Sequence, residues 1–360
     1  MKSDTFRIHG LFGHTFRLMT LFLFFLFAIA EWVTRLEVFQ SPLTPPKMGS
    51  RHYQLGHKLA LLDAEIKAKG SIDCIMVGSS MVDVGFDPAA FQSAYREFIG
   101  RDVHCFNFGI DGSTAASSAA LARILVEDYT PQLLIFGTDP RDYAIPSIDR
   151  YPVVILATPW VAYRQGDFSL TGWWMEHSHL YRYRQHFSRL LRFQFGDTLW
   201  SETELKFPIL PDGFTPLTSV GDYINDPPDP HDDSFEVTYF NQIYSNYQML
   251  DENLAALEDI LSYNGSETHV VVVEMPVSDG LYYFFGNGEA DYNRFVTRVS
   301  EITDMYNVPF WRTETMDLIP DEGWSDYSHL NITGAEIFSS WLAEQVGEAV
   351  MQGNVEAIRP

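Results

Sequence analysis

The chain has 360 residues, 46% of them hydrophobic and 15% aromatic, which is enough to bury a large core and excludes global disorder. Its 48 acidic residues against 24 basic ones give a formal net charge of −24. That balance excludes nucleic acid as a partner, because phosphate binding needs clustered Lys and Arg. The only two cysteines, Cys74 and Cys105, form no C-x-x-C pair, so a zinc site and a disulfide framework are excluded. Both are expected as buried free thiols on neighbouring strands.

Lys2, Arg7 and Arg17 precede the apolar run 18–30 (LMTLFLFFLFAIA), which continues past Glu31 into Trp32 and Val33. Positive charge ahead of an apolar segment keeps that end cytoplasmic and sends the remainder across the membrane. Residues 1–17 are therefore expected in the cytoplasm and 18–35 as a signal anchor, with Trp32 and Arg35 at the far interface. Ala28-Ile29-Ala30 also resembles a cleavage site, so a cleaved, secreted form stays open. Residues 36–70 read as a linker, with three prolines in 40–49, and a leading helix at 53–69 that carries Leu55, Leu59, Leu62 and Ile66 at helical spacing.

An exported domain follows over 71–351. Short apolar runs at 72–77, 103–108, 133–136 and 269–274, with a shorter one at 308–311, read as strands. Helices are expected after Asp87-Pro88, over 113–129, 239–263 and 291–306, and from 334 to 351 behind a capping box of Thr333 and Glu336. Strands alternating with helices predict an α/β protein: a three-layer α/β/α, flavodoxin-like parallel sheet. Between about 145 and 235 the periodicity lapses in a stretch rich in Pro, Trp, Tyr and Asp, read as an inserted lobe. Within it, Arg182, Arg184, Arg189 and Arg192 lie amid aromatics, as an amphipathic helix or a contact for anionic headgroups. Trp160, Trp173 and Trp174 are more readily core residues than sugar-stacking platforms.

In an open parallel sheet, ligands bind at the carboxyl ends of the strands. Polar clusters fall there: Gly78-Ser79-Ser80, the stretch from Asn107 to Gly112, and Gly137-Thr138-Asp139. Near the end of the chain come Asp326 and His329, spaced so that one loop turn brings their side chains together. A hydroxyl is a poor nucleophile until a base takes its proton, and a carboxylate fixes the imidazole that does so. Taken singly, each residue has an ordinary reading as a turn Ser, a turn Gly or a surface His. Their joint order is more specific. The pattern Gly-x-Ser-x-Gly of another hydrolase class is absent around Ser80.

These blocks resemble the SGNH (GDSL) hydrolase superfamily across nearly the whole exported domain. The resemblance implies Ser80 as nucleophile, His329 as base and Asp326 as its orienter. It implies the Ser80 and Gly112 amides as oxyanion donors, and it implies no metal or organic cofactor. One block departs: Asp139 stands where the family has an Asn that donates to the oxyanion. A carboxylate there repels an oxyanion unless protonated or turned away, and Arg141, two residues on, is a candidate to neutralise it or to bind substrate with Asn107. The implied activity is that of an exported serine esterase or O-acyltransferase, membrane-held by its N-terminal helix, on O-acetylated cell-surface polysaccharide or another ester. A membrane-bound acyl donor is a further implied partner. The alternatives are a noncatalytic glycan-binding or assembly factor, to which Asp139 points, and a membrane-surface lipase or thioesterase.

Overall fold

The computed structural model describes residues 4–35, 53–144, 155–181, 208–221, 224–228, 234–265, 267–313 and 317–353. The arginine-rich stretch from Arg182 onward and the proline linker lie outside the described residues. The chain opens with α1 (Asp4–Val33), in which His14–Val33 is long and apolar enough to cross a membrane. The side chains of residues 14–29 are exposed throughout.

The body alternates as expected. After α2 (Tyr53–Lys69) come β1 (Cys74–Gly78), α3 (Ser80–Gly85), α4 (Pro88–Ile99), β2 (Cys105–Gly109), α5 (Ala115–Tyr129) and β3 (Leu133–Thr138). The turn α6 (Arg141–Ala144) leads into the insertion, which holds α7 (Pro159–Arg164) and α8 (Leu170–His177). Then follow α9 (Phe235–Tyr244), α10 (Asp251–Leu261), β4 (His269–Glu274), α11 (Glu289–Met305), β5 (Phe310–Trp311) and α12 (Ile332–Gln352).

All five strands are parallel, in the order β2-β1-β3-β4-β5, the flavodoxin-like order. Every residue of β1, β2 and β3 is buried, as expected for a sheet covered on both faces. Period-two alternation divides the strands between two cores. Ile75, Val77, Phe106, Phe108, Leu134, Phe136, Val270 and Val272 pack with α2, α5, α10 and α11 on one face. Met76, Ile135, Val271 and Val273 pack with α3, α4 and α12 on the other. Cys74 and Cys105 face each other in register between β1 and β2, buried and unbonded.

Local expectations are corrected at three points. The helix expected over 239–263 is two, α9 and α10, because tertiary hydrogen bonds claim the backbone between them. Leu250 N–H donates to Tyr143 C=O at 2.9 Å, Arg294 Nη2 donates to Tyr247 C=O at 2.7 Å, and Tyr247 Oη donates to Pro140 C=O at 3.1 Å. The cap of α12 is Asn331, not Thr333, its side chain accepting from the Thr333 and Gly334 amides at 3.0 and 3.2 Å. The short helix α3, which follows β1 directly, was not among the expected elements. The described parts of the insertion lie back on the body: Arg164 pairs with Asp128 on α5, and Asp212 C=O accepts from Asn107 N–H at 2.8 Å.

Candidate active site

Ser80 is the first residue of α3, so its N–H has no acceptor within the helix. The helix can sit this close to the strand ends because Gly109 terminates β2: a Cβ there would lie 2.2 Å from the Asp83 nitrogen. Asn107, one pleat earlier, fastens α3 in place. Its Nδ2 donates to the carbonyls of Val82 at 2.7 Å and Phe86 at 2.6 Å, and its Oδ1 accepts from Gly109 N–H at 2.9 Å. Asn107 is fully buried, so the expected substrate-binding role is corrected: its polar atoms are spent inside the fold.

The block continues into a turn closed by Ser113 N–H on Ile110 C=O at 3.0 Å, with Gly112 in its third position at φ +74°. That conformation suits glycine. On the other side of the cleft, Trp324 pairs with Leu330 across the loop that carries Asp326 and His329. Asn331 holds the base of this loop by donating to the Glu322 and Trp324 carbonyls at 2.7 and 3.2 Å.

The loop brings His329 Nε2 to 2.8 Å from Ser80 Oγ, and His329 Nδ1 to 2.7 Å from Asp326 Oδ2. The other carboxylate oxygen of Asp326 accepts from the Ser328 and His329 amides at 2.8 and 2.7 Å. Burial works against the charge on Asp326, but the His329 charge and these hydrogen bonds hold its carboxyl below the usual range. Burial likewise disfavours a charged His329, yet the charge and hydrogen bond of Asp326 prevail and lift the imidazole to about 9.

Asp139 is buried at the end of β3, accepting from Arg141 N–H at 2.7 Å on one oxygen and from Ser79 Oγ at 3.3 Å on the other. Burial raises its carboxyl despite the pull of Arg141. The neighbouring Asp142 is raised further, by burial and then by the charge of Asp139. The pair therefore favours one shared, retained proton, with Asp142 pushed further toward holding it. The Arg141 guanidinium is turned elsewhere, donating to Ser113 C=O at 3.0 Å and to Tyr239 Oη at 2.8 Å. It clamps Ser113, between the Gly112 turn and α5, and lies 3.8 Å from Asp142.

A third group near the site escaped the sequence. Lys58 of α2 is fully buried, 2.5 Å from Asp83 and 3.2 Å from Asn107 Oδ1. Gln54 donates to Asp83 at 2.9 Å and accepts from the Asp111 amide at 2.8 Å, and Thr215 of the insertion donates to Asp83 at 2.8 Å. Burial lowers the Lys58 ammonium and raises the Asp83 carboxyl, with their mutual attraction opposing both. One signal was available: Lys58 stands three residues after Leu55 and four before Leu62, a charge on the apolar stripe of its helix.

The sheet order, the hydroxyl–imidazole–carboxylate chain and the blocks at the strand ends stand together. The fold is a flavodoxin-like parallel α/β/α sheet with these groups gathered at the carboxyl ends of its strands. No protein-family model matches the sequence, and no curated protein does. Among solved structures it is similar to a lipase/acylhydrolase from Enterococcus faecalis, with a TM-score of 0.36 and 11% identity over 77% of this chain and 96% of that one. It is similar to a carbohydrate acetylesterase from Sinorhizobium meliloti, with a TM-score of 0.35 and 12% identity over 77% and 99%. It also matches a gut microbial diltiazem-metabolizing enzyme, with a TM-score of 0.37 and 11% identity over 77% of this chain, spanning about half (47%) of that longer protein.

Proposed function

We propose that this chain is an SGNH-type serine esterase or O-acyltransferase, held at a membrane by α1 with its body outside the cytoplasm, acting on O-acetylated cell-surface polysaccharide. The observation that carries the reading is the unbroken hydrogen-bond chain from Ser80 Oγ through His329 to Asp326, at 2.8 and 2.7 Å.

In this reading Ser80 Oγ attacks the ester carbonyl carbon while His329 Nε2 takes its proton. The Ser80 and Gly112 amides, and a protonated Asp139 in place of an amide side chain, donate to the oxyanion. A carboxylic acid kept neutral by its site so that it can donate has precedent in other enzymes. The C–O bond to the alcohol then breaks, His329 returns the proton to the departing oxygen, and acyl-Ser80 remains. Attack by water makes the protein an esterase; attack by a sugar hydroxyl, with acyl groups supplied by a membrane partner, makes it a transferase.

The test is labelling of the full chain with a fluorophosphonate probe. Label on the native protein, lost in Ser80→Ala and strongly reduced in His329→Ala, is the expected result. A folded native protein that takes no label overturns the catalytic reading and leaves a glycan-binding factor, with Asp139 as its distinguishing residue.

A further inference from the structure

The end of α1 is not a free tether. Glu31 accepts from Ser178 Oγ and His179 N–H at 2.8 Å each, and from Leu180 N–H at 3.1 Å. Four residues earlier, the Phe27 ring meets Trp174 edge-on with centroids 6.3 Å apart. Helix α8 of the insertion is thereby fixed to the last two turns of α1. From Trp174 a line of ring contacts continues outward: Trp173 at 4.9 Å, His177 stacked on Trp173 at 4.8 Å, Tyr163 at 6.3 Å from His177, and Phe168 at 6.3 Å from Tyr163. The line ends on apolar side chains open to solvent, with Phe168 75% and Leu170 64% exposed.

We infer that this aromatic face of the insertion, with Phe168 and Leu170 at its tip, lies in the interface of the lipid bilayer that α1 spans. The inference rests on reading α1 as an uncleaved anchor. Its contact with Trp174 then fixes the depth. Phe27 lies six residues before Val33, the end of the apolar span, and so about 9 Å along the helix from that end. Side chains packed on it sit where the polar headgroups meet the acyl chains, the depth at which amphipathic elements rest and at which Trp and Tyr concentrate. Phe168 and Leu170 continue that surface away from the anchor, and two exposed large apolar residues beside an aromatic ladder suit lipid better than water. Contact through Phe168, Leu170 and the aromatic ladder is apolar, so its hold is insensitive to salt. The consequence for function is geometric: the body is pinned at two places on one membrane and cannot swing freely about α1.

The experiment uses the full chain in phosphatidylcholine vesicles. Because Cys74 and Cys105 are buried, a single introduced cysteine can carry a nitrobenzoxadiazole label in the folded protein. Label is placed in turn by Ile29→Cys on α1, Phe168→Cys at the tip, and Met351→Cys at the end of α12, in the layer across the sheet from α5. Quenching by doxyl-labelled acyl chains is then measured, with iodide as the aqueous quencher. The expected result is at least twofold lipid quenching at positions 29 and 168, unchanged in high salt, and none at 351. Quenching at 29 without quenching at 168 overturns the inference while leaving the anchor intact. A label at 168 protected from iodide but unreached by the lipid quencher marks a protein partner on this face and overturns it too. Absence of lipid quenching at 29 removes the anchor, and the inference with it.

Discussion

His329 Nε2 has to be unprotonated to accept the Ser80 proton, yet Asp326 at 2.7 Å stabilises the imidazolium and lifts its titration to about 9. Below that value most of the resting protein carries the proton in the wrong place. As pH rises the free base appears, so the His329 limb of kcat/KM for ester cleavage is expected to climb up to about pH 9. In Asp326→Asn the amide no longer holds the charge, and the limb should move down toward about 6.5, the ordinary histidine value, while kcat falls by roughly 10⁴. A pH–rate series on both proteins checks this, and an unmoved limb would show that some group other than His329 titrates.

Asp139 supplies the opposite sign. Its carboxyl serves as a donor only while protonated; burial favours that state, and Arg141, Ser79 and His329 oppose it. Loss of that proton as pH rises turns the donor into a repelling charge, giving a falling limb opposed to that of His329. Asp139→Asn keeps a donor without needing the proton, so it is expected to match or exceed native activity and to abolish that limb. Asp139→Ala should lose about 10²–10³ in kcat, the usual cost of one oxyanion donor. If the Asn variant is as impaired as the Ala variant, Asp139 acts through its hydrogen bond to Ser79 instead.

At the scale of elements, α2 is tied to the nucleophile helix by a buried ion pair rather than by apolar packing alone. Removing one member of such a pair strands a charge, typically at a cost of about 3–5 kcal/mol, whereas replacing both with apolar groups of similar volume is often neutral. Lys58→Met is therefore expected to destabilise by that amount in urea unfolding, and Asp83→Leu likewise. The double variant should recover most of the loss in stability. Activity should stay reduced in it, because Lys58 also holds the Asn107 oxygen at 3.2 Å and Asn107 fastens α3.

The same elements explain what the sequence could convey. The strands were legible because short runs such as HVVVVE are too brief for a helix and end in polar clusters. Ser80, His329 and Asp326 were legible because their blocks are local and ordered. The role of Asn107 was not, because its partners, the carbonyls of Val82 and Phe86, exist only once α3 is folded onto β2. The break between α9 and α10 was equally hidden: Ser245 to Leu250 contains no Gly or Pro, and the helix ends there because Tyr143 and Arg294 capture its backbone. Asn331 was overlooked as a cap because Thr333 and Glu336 offer the more familiar pattern two residues later.

On the scale of the whole molecule, α1 meets the insertion at the Phe27–Trp174 ring contact and through one carboxylate, that of Glu31. Glu31 is a charged group at the end of the apolar span, only 17% exposed; beside the Arg35 guanidinium at 2.9 Å, it takes three donors from the start of the segment after α8. Charge-assisted hydrogen bonds are each worth about 1.5–3 kcal/mol, less where solvent reaches them. In Glu31→Ala those donors lose their acceptor while the fold of the sheet, far along the chain, is untouched. Hydrogen exchange at the His179 and Leu180 amides should accelerate by roughly ten- to a hundredfold, as follows from losing one to two such bonds. Exchange in β1 and β3 should not change. Glu31→Gln, which keeps an acceptor oxygen but not the charge, should fall between the two. Equal acceleration across the body would mean that Glu31 stabilises the whole fold, whereas acceleration confined to the α8 region places the polar joint between α1 and the body at Glu31.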